Sequence, residues 1–271
     1  MTQIRVAVNG ALGRMGMTVL GAVCANPDTL PVGGVDVKAR SASIQLPDGS
    51  GRSVPLSSDM TEIVKSASPD VVVDFTNGEG VLAAVRKAAP SGVRVVSGST
   101  GVTAQALDEI RALAAKHRVG VISASNFALG AVLLMHLSRF AARYFDYADV
   151  VEAHHETKID SPSGTALSIA RAIAEGHGKP LSVNIPEKET LAGTRGGTHE
   201  GISVHSARMP GRLARHEVTF GTQGQTLVLT HDTINRDCYM PGVMLAVKHV
   251  MTVDGLVVGL DNVLGLTRAK P

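Results

Sequence analysis

Apolar positions in the first half of the chain come as short β-branched runs separated by longer stretches with helical spacing. Ile4–Val8, Leu30–Val35, Val71–Phe75, Val93–Val96 and Val119–Ile122 each read as a strand. Between them, Arg14–Ala25 predicts a helix that stops at Asn26-Pro27, since a proline pushes the residue before it out of the helical region. Asp59 with Glu62 three positions on marks a capping-box start for a short helix. Glu79–Ala89 has helical spacing, and Thr103–His117 carries Ala106, Leu107, Ile110, Leu113 and Ala114 on one amphipathic stripe. Strands alternating with helices predict βαβ units and a parallel sheet with right-handed crossovers.

The rhythm changes after Asn126-Phe127. Gly130–Phe145 predicts a helix, Asp149–Ala153 a strand, Lys158–Thr165 a Gly/Ser/Pro-rich turn and Ala166–His177 a second helix. From Ser182 the pattern is β-rich, with strands at Ile202–Ala207, His216–Phe220 and Thr226–His231 and a loop at Thr194–Gly201. Met240–Met251 returns to helix. The expected fold is therefore α/β. Residues 1–127 form a doubly wound parallel sheet of Rossmann type, 128–239 an α+β domain with a mixed sheet, and 240–271 pack back on the first domain.

Composition removes several classes of function. At 271 residues, 44% hydrophobic and 18% charged, the chain buries a sizeable core and is too apolar for disorder. Its 26 basic and 24 acidic residues nearly cancel, and with no Trp, 3 Tyr and 5 Phe it has few rings to stack bases on, which argues against nucleic-acid binding. Cys24 and Cys238 lie far apart without a CxxC or Cys/His cluster, as expected of two reduced thiols and no metal site. The longest apolar run, Ala128–Met135, falls short of the roughly 20 residues that span a bilayer. No signal-peptide pattern follows Met1–Arg5, so a soluble cytoplasmic protein without a membrane partner is expected.

Against that background two segments carry unusual chemistry. In the first, the strand ending at Val8 runs into Asn9-Gly10-Ala11-Leu12-Gly13-Arg14-Met15-Gly16 and then into a helix. Glycines at such a turn let the backbone approach a pyrophosphate, and the helix N-terminal amides receive the anion. Aligned to G-x-G-x-x-G, Ala11 replaces the first glycine, and a bare glycine triplet also fits a tight turn with no ligand. Asp36 closes the second strand 20 residues after Gly16, the offset of an acidic group that bonds adenosine ribose hydroxyls. Lys38 stands where it can receive a 2′-phosphate, so NADH and NADPH both remain open as cofactors.

The second segment is Glu152-Ala-His154-His155-Glu-Thr-Lys158-Ile-Asp160-Ser-Pro-Ser163-Gly164-Thr165. Ser163, Gly164 and Thr165 directly precede a helical run, so hydroxyls and amides there form an anion cradle at a helix N-terminus. Lys158 adds a cation, and the two histidines add groups that titrate near neutrality. Adjacent strand residues point to opposite faces, so only one of His154 and His155 faces a given pocket unless the strand has ended. A capped helix after a solvated polar loop is the bland alternative. A cluster of cations, proton donors and anion cradle is what a carboxylated substrate needs.

With these segments, and with Asp74-Phe-Thr76, Gly98-Ser-Thr-Gly101 and Ser125-Asn126-Phe127, the chain resembles the 4-hydroxy-tetrahydrodipicolinate reductase (dihydrodipicolinate reductase) family of lysine and diaminopimelate biosynthesis. The resemblance spans essentially the whole sequence, and the His-His-x-x-Lys-x-Asp-x-Pro-Ser-Gly-Thr segment is highly specific. It implies that Gly10, Ala11, Leu12, Gly13, Arg14 and Met15 wrap the cofactor pyrophosphate and that Asp36, with Lys38 beside it, meets the adenosine ribose. Gly98, Ser99 and Thr100, with Ala124, Ser125, Asn126 and Phe127, are implied to line the nicotinamide side. His154 and Lys158 are implied as proton donors, and His155, Ser163, Gly164, Thr165 and Arg236 as binders of a dicarboxylate substrate. A homotetramer that pairs the sheets of its substrate domains is also implied. Ser99 stands where threonine is common, and Val37 where some members carry arginine, the basic residue coming one later at Lys38. Two other readings compete: another two-domain reductase of amino or keto acids, which leaves the Pro-Ser-Gly-Thr cradle without a purpose, and a dinucleotide sensor, which has no need of His154 with Lys158.

Overall fold

The computed structural model describes residues 2–183 and 187–266. These divide into two compact units, one within Met1–Phe127 and Tyr239–Pro271, the other within Ala128–Cys238. In chain order the first unit contains β1 (Ile4–Asn9), α1 (Arg14–Ala25), β2 (Thr29–Val35), β3 (Ser43–Gln45), β4 (Ser53–Ser57), α2 (Met60–Ala67), β5 (Val71–Asp74), α3 (Gly78–Ala88), β6 (Arg94–Ser97), α4 (Ala104–His117) and β7 (Gly120–Ser123). The second contains α5 (Leu129–Ala141), β8 (Tyr147–His154), α6 (Gly164–His177), β9 (Gly197–His199), β10 (Ile202–Arg208), β11 (Ala214–Thr222) and β12 (Gln225–Thr233). The chain then returns to the first unit with α7 (Met240–His249), β13 (Gly255–Val258) and α8 (Leu260–Val263). Of the C-terminal stretch 240–271, residues 267–271 lie outside the described residues, as do 184–186 of the β-rich region.

The first sheet has the order β13-β7-β6-β5-β1-β2-β4-β3, parallel throughout except for the antiparallel β3–β4 pair. This is the doubly wound α/β arrangement expected from the alternation. Its central strands are apolar without interruption, as Val71, Val72 and Val73 show, because helices cover both faces of a parallel sheet. Each buried valine contributes on the order of 1.5–3 kcal/mol. The order reverses between β1 and β5, which makes the carboxyl ends of those strands the crevice where ligands bind in such sheets.

The second sheet is mixed, β12-β11-β8-β10-β9, with β8 and β10 parallel and the other pairs antiparallel. Val150, Val204, Val218 and Phe220 on its inner face pack with Ala166, Ile169, Ala170, Ile173 and Ala174, the apolar stripe of α6. Gly176 lets α6 lie close to α5, since a Cβ there would stand 2.0 Å from the Arg139 carbonyl oxygen.

Several local expectations are corrected. The Thr194–Gly201 loop contains β9, whose glycine-containing segment gains its order by pairing with β10. β3, β4 and β13 went unread because they are very short or, in β4, contain Pro55, which demotes a run in a sequence reading. The expected helices Gly130–Phe145 and Met240–Met251 end earlier, at Ala141 and His249, and finish in 3₁₀ turns. Asp59 does cap α2, accepting from the Thr61 amide, but Glu62 does not reach back to it. The Glu62 carboxylate takes the Ser57 hydroxyl, whose oxygen in turn accepts from the Asp59 amide.

Candidate active site

In the first unit the glycine turn sits at the carboxyl end of β1. Gly10 takes the left-handed conformation at φ +80°, and a Cβ there would crowd the Phe75 carbonyl oxygen at 3.1 Å. Gly10 rather than residue 11 is thus the turn-making glycine, which is why Ala11 is tolerated and lies fully buried. Gly16 is demanded by packing, since its Cβ would stand 2.0 Å from the Gly10 carbonyl oxygen. Gly13 is different: an added Cβ would meet only that same oxygen, at 3.1 Å. Gly13 is also the N-cap of α1, which has no side-chain cap and no acidic residue in its first turn. An uncapped helix start behind a glycine-bounded turn suits an anion.

Asp36, 9% exposed at the end of β2, accepts from the Leu12 amide through Oδ2 at 3.0 Å and from the Lys38 amide through Oδ1 at 2.9 Å. The turn and its acidic partner are therefore one hydrogen-bonded piece. Leu12, Arg14 and Lys38 are exposed and Met15 is half-buried. Along the same edge, Asp74 at the end of β5 is fully buried and receives Asn9 Nδ2, Thr76 Oγ1, Ser97 Oγ and Ser99 Oγ at 2.6–2.8 Å. Ser99 thus turns its hydroxyl inward, where it also accepts from the Thr76 amide at 2.9 Å. Gly98 leaves room for the Phe75 ring, which lies 6.0 Å from that of Phe127. Thr100 and Ser125 are exposed, Asn126 is half-buried and Ala124 is buried. Glycine turn, uncapped helix start, the Asp36 carboxylate and the sheet edge fit a dinucleotide.

In the second unit β8 ends at His154, so the alternation rule stops there. His154 is 8% exposed, while His155 lies half-buried in the following turn and bonds Thr157 Oγ1 at 2.8 Å. Glu152, fully buried, holds His154 through Oε2 to Nδ1 at 2.5 Å. The same carboxylate accepts both terminal nitrogens of Arg208 at 2.9 and 2.8 Å and the Ser163 amide at 3.1 Å. Ser163 is the N-cap of α6, and its hydroxyl, which accepts from the Ala166 amide, also lies 3.2 Å from His216 Nε2. Gly164 is exposed with open space at its Cβ position, and Thr165 is half-buried. Lys158 Nζ donates to Asp160 at 2.5 Å. Among the described residues no hydrogen bond or ion pair joins Arg236, half-buried in a 3₁₀ turn after β12, to this cluster.

Burial and hydrogen bonds together set the electrostatics here. Burial pushes the His154 imidazole below its ordinary value, more than the Glu152 carboxylate raises it. Burial pushes the Glu152 carboxyl up, but bonds from Arg208, Ser206, His154 and the Ser163 amide outweigh it and hold Glu152 below the usual range. His216, buried and edge-on to His154 with ring centroids 5.3 Å apart, is pushed down to about 4, first by burial and then by the charge of His154. The cluster therefore combines a neutral histidine, an oriented titrating one, a cation and a helix N-terminus. Arg208 and His216 were not singled out from the sequence. The available signal was strand alternation, which puts Arg208 on the face of Ile202 and Val204 and His216 on that of Val218 and Phe220.

Comparison with known proteins bears on both units. Residues 4–127 match the family described as dihydrodipicolinate reductase, N-terminus, and residues 130–264 that described as dihydrodipicolinate reductase, C-terminus. A 4-hydroxy-tetrahydrodipicolinate reductase of Dehalococcoides mccartyi is 47% identical over 266 residues, covering 98% of this chain and 100% of its own. One from Moorella thermoacetica is 43% identical, covering 96% and 98%. A dipicolinate-bound dihydrodipicolinate reductase from Paenisporosarcina sp. TG-14 superposes with a TM-score of 0.86 at 36% identity, over 96% of this chain and 99% of that one. Among the described residues no helix is long and apolar enough to cross a membrane.

Proposed function

The chain belongs to the dihydrodipicolinate reductase family, and we propose how its two units divide the reduction of 4-hydroxy-tetrahydrodipicolinate to tetrahydrodipicolinate. As a member it is a nicotinamide-dependent oxidoreductase of lysine and diaminopimelate biosynthesis. The nicotinamide dinucleotide, when bound, supplies the hydride. The backbone of Gly10–Met15 and the start of α1 would hold its pyrophosphate, and Asp36 its adenosine ribose. The edge formed by Gly98–Thr100 and Ala124–Phe127 would face the nicotinamide, with Ser99 fixing that edge from inside.

The second unit takes the substrate and supplies the proton. A cyclic imine that has gained a hydride carries negative charge toward its ring nitrogen, and an acid must quench it. His154 does so from Nε2, because Glu152 engages Nδ1. Burial lowers its hold on the proton, which makes it the readier donor. Lys158 favours the anionic form and stands as a further donor. His155, Ser163, Gly164 and Thr165 hold a carboxylate at the start of α6 through charge-assisted hydrogen bonds, with Arg236 as a further cation for the dicarboxylate. The dipicolinate in the Paenisporosarcina protein is a dicarboxylate of the kind this cradle suits. The observation that carries the reading is the buried His154 held by Glu152, which also accepts the cap amide of α6.

The test is oxidation of NADH and of NADPH by the purified protein with 4-hydroxy-tetrahydrodipicolinate, and with simple keto acids as controls. Turnover with that substrate alone is expected. Keto-acid turnover instead would mean a different reductase, and cofactor binding without any turnover a sensor. NADH should serve at least as well as NADPH, since Asp36 accepts ribose hydroxyls and repels a 2′-phosphate unless Lys38 compensates. A strong NADPH preference that survives Lys38→Ala would overturn this.

Assembly belongs to the same reading. The outer face of the second sheet exposes Tyr147, Val151 and Val228. A 630 Å³ cavity on that face is lined by Tyr147, Asp149, Val151, Arg195 and Ser203. A homotetramer formed by pairing these sheets covers that face, and light scattering on Val151→Arg against the parent protein tests it.

A further inference from the structure

Glu152 carries four different kinds of donor on one buried carboxylate: an imidazole, a guanidinium, the Ser206 side chain and a backbone amide. A carboxylate alone beside an imidazole does two things. It fixes the ring by accepting from one nitrogen, and it stabilises the imidazolium so that the proton on the other nitrogen is harder to release. The first helps a proton donor and the second hinders it. Here the two effects are separated by Arg208. Its forked guanidinium meets both Glu152 oxygens, at 2.9 and 2.8 Å, and the Glu152 side chain is 0% and that of Arg208 19% exposed, so solvent screens the pair little. Arg208 is itself anchored, donating to the Ala207 and Asp160 carbonyl oxygens, each at 2.6 Å.

We propose that the Arg208–Glu152 pair is a positioning device for His154, in which Glu152 orients the imidazole and Arg208 cancels the charge that would otherwise trap its proton. This rests on His154 as the proton donor. In the step it serves, the Nε2–H bond breaks and the proton moves to the substrate. The electron pair stays on Nε2, while Nδ1–H remains on Glu152, leaving neutral imidazole. Neither Glu152 nor Arg208 touches the reacting atoms in this account. The groups that face His154 are Glu152 on its own strand, Ser206 and Arg208 on β10, and His216 on β11. Lys158 and Asp160 of the loop and Ser163 at the start of α6 complete the set. His231 on β12 bears on His216. Lys158 and Asp160 pair with each other, and His216 is neutral above about pH 4, so the pair on Glu152 is the adjustable charge.

The experiment is an NMR titration of the His154 ring in the full-length protein, its signal assigned by loss in His154→Asn. Three variants are compared: Glu152→Gln, Arg208→Met and the double substitution. Glu152→Gln keeps an acceptor for Nδ1 and deletes the charge, so the midpoint should fall by roughly one pH unit. Arg208→Met exposes His154 to an unopposed carboxylate, so the midpoint should rise by a similar amount. The double variant should lie between the two. A loosened structure does not give single shifts of opposite sign that offset each other on combination. The limb of the kcat/KM profile set by His154 should move in the same directions. Arg208→Lys, which keeps the charge and loses the fork, stands in should the Met variant fail to fold, and it should hold the midpoint near that of the parent. Midpoints that coincide, or singles that shift in the same direction, overturn the proposal even where His154→Asn is inactive. A His154→Asn protein with the parent's kcat overturns the donor reading instead, whatever the midpoints do.

Discussion

The glycine turn and the His154 cluster are built by opposite means. The turn works by leaving side chains out: Gly10 adopts a conformation a side chain resists, Gly16 removes a Cβ from a carbonyl, and Gly13 leaves the start of α1 bare. The cluster works by packing side chains in, with a fully buried carboxylate that holds a histidine and an arginine, and a second histidine edge-on to the first. A cofactor shared by many enzymes needs only backbone amides and space, whereas a particular proton transfer needs a group of fixed orientation and tuned affinity. The difference also predicts how each region fails when altered.

The largest effect should come from the cluster. His154→Ala should lower kcat by about 10²–10⁴-fold with only a modest change in KM, because its contribution is made as charge develops. Lys158→Ala should damage both parameters, and the pair together should lose less than the product of the single losses. Steady-state kinetics with cofactor affinity measured alongside decides this, and a His154→Ala enzyme near the parent's kcat would remove the cluster from the chemistry.

Within the turn, two glycines should separate. Gly13→Val should fold and lose dinucleotide affinity, because the fold puts only one carbonyl oxygen near that Cβ. Gly16→Val should instead lose stability, by about 1–3 kcal/mol or more, because its Cβ meets backbone that has nowhere to go. Calorimetric titration with NADH and thermal melts of both proteins make the comparison. Equal affinity in a folded Gly13→Val would show that the turn is not the site.

A third effect is in acid stability. His216 is held down to about 4 in the folded protein, against about 6.5 for a free histidine. The unfolded chain therefore binds the extra proton first. The His216 contribution is fully present above pH 6.5 and is lost as pH falls from there toward 4, up to about 3 kcal/mol in all. His216→Gln should flatten the fall in melting temperature over that window. An unchanged slope would mean that His216 does not titrate as its burial requires.

What could be read in the sequence follows the same division. The α/β alternation, the helix Arg14–Ala25 and the strands β1, β2, β5, β6 and β7 are local patterns that lie where their spacing put them, whereas the short β3, β4 and β13 of the same sheet carry no such pattern. The segment Glu152–Thr165 was legible as chemistry because its residues are contiguous. Arg208 and His216 were not, although alternation turns both inward. Their partner lies on β8, and no local signal says that β10 runs parallel and β11 antiparallel to that strand. The sequence offers Ser99 as a candidate site residue but says nothing of its inward hydroxyl, since Asp74 lies on another strand.

Asp74 has a consequence for time as well as shape. Its carboxylate, at the end of β5, ties side chains from the ends of β1 and β6 and from the loops that follow β5 and β6. The amides of Thr76, Gly98 and Ser99 are spent in the same knot, on Ser99 Oγ, the Asp74 carbonyl oxygen and Ser97 Oγ. Loop amides ordinarily trade their hydrogens with solvent quickly, while strand amides wait for larger openings. These three should wait with the strands, so this edge of the sheet keeps the slow exchange clock of the core beneath it.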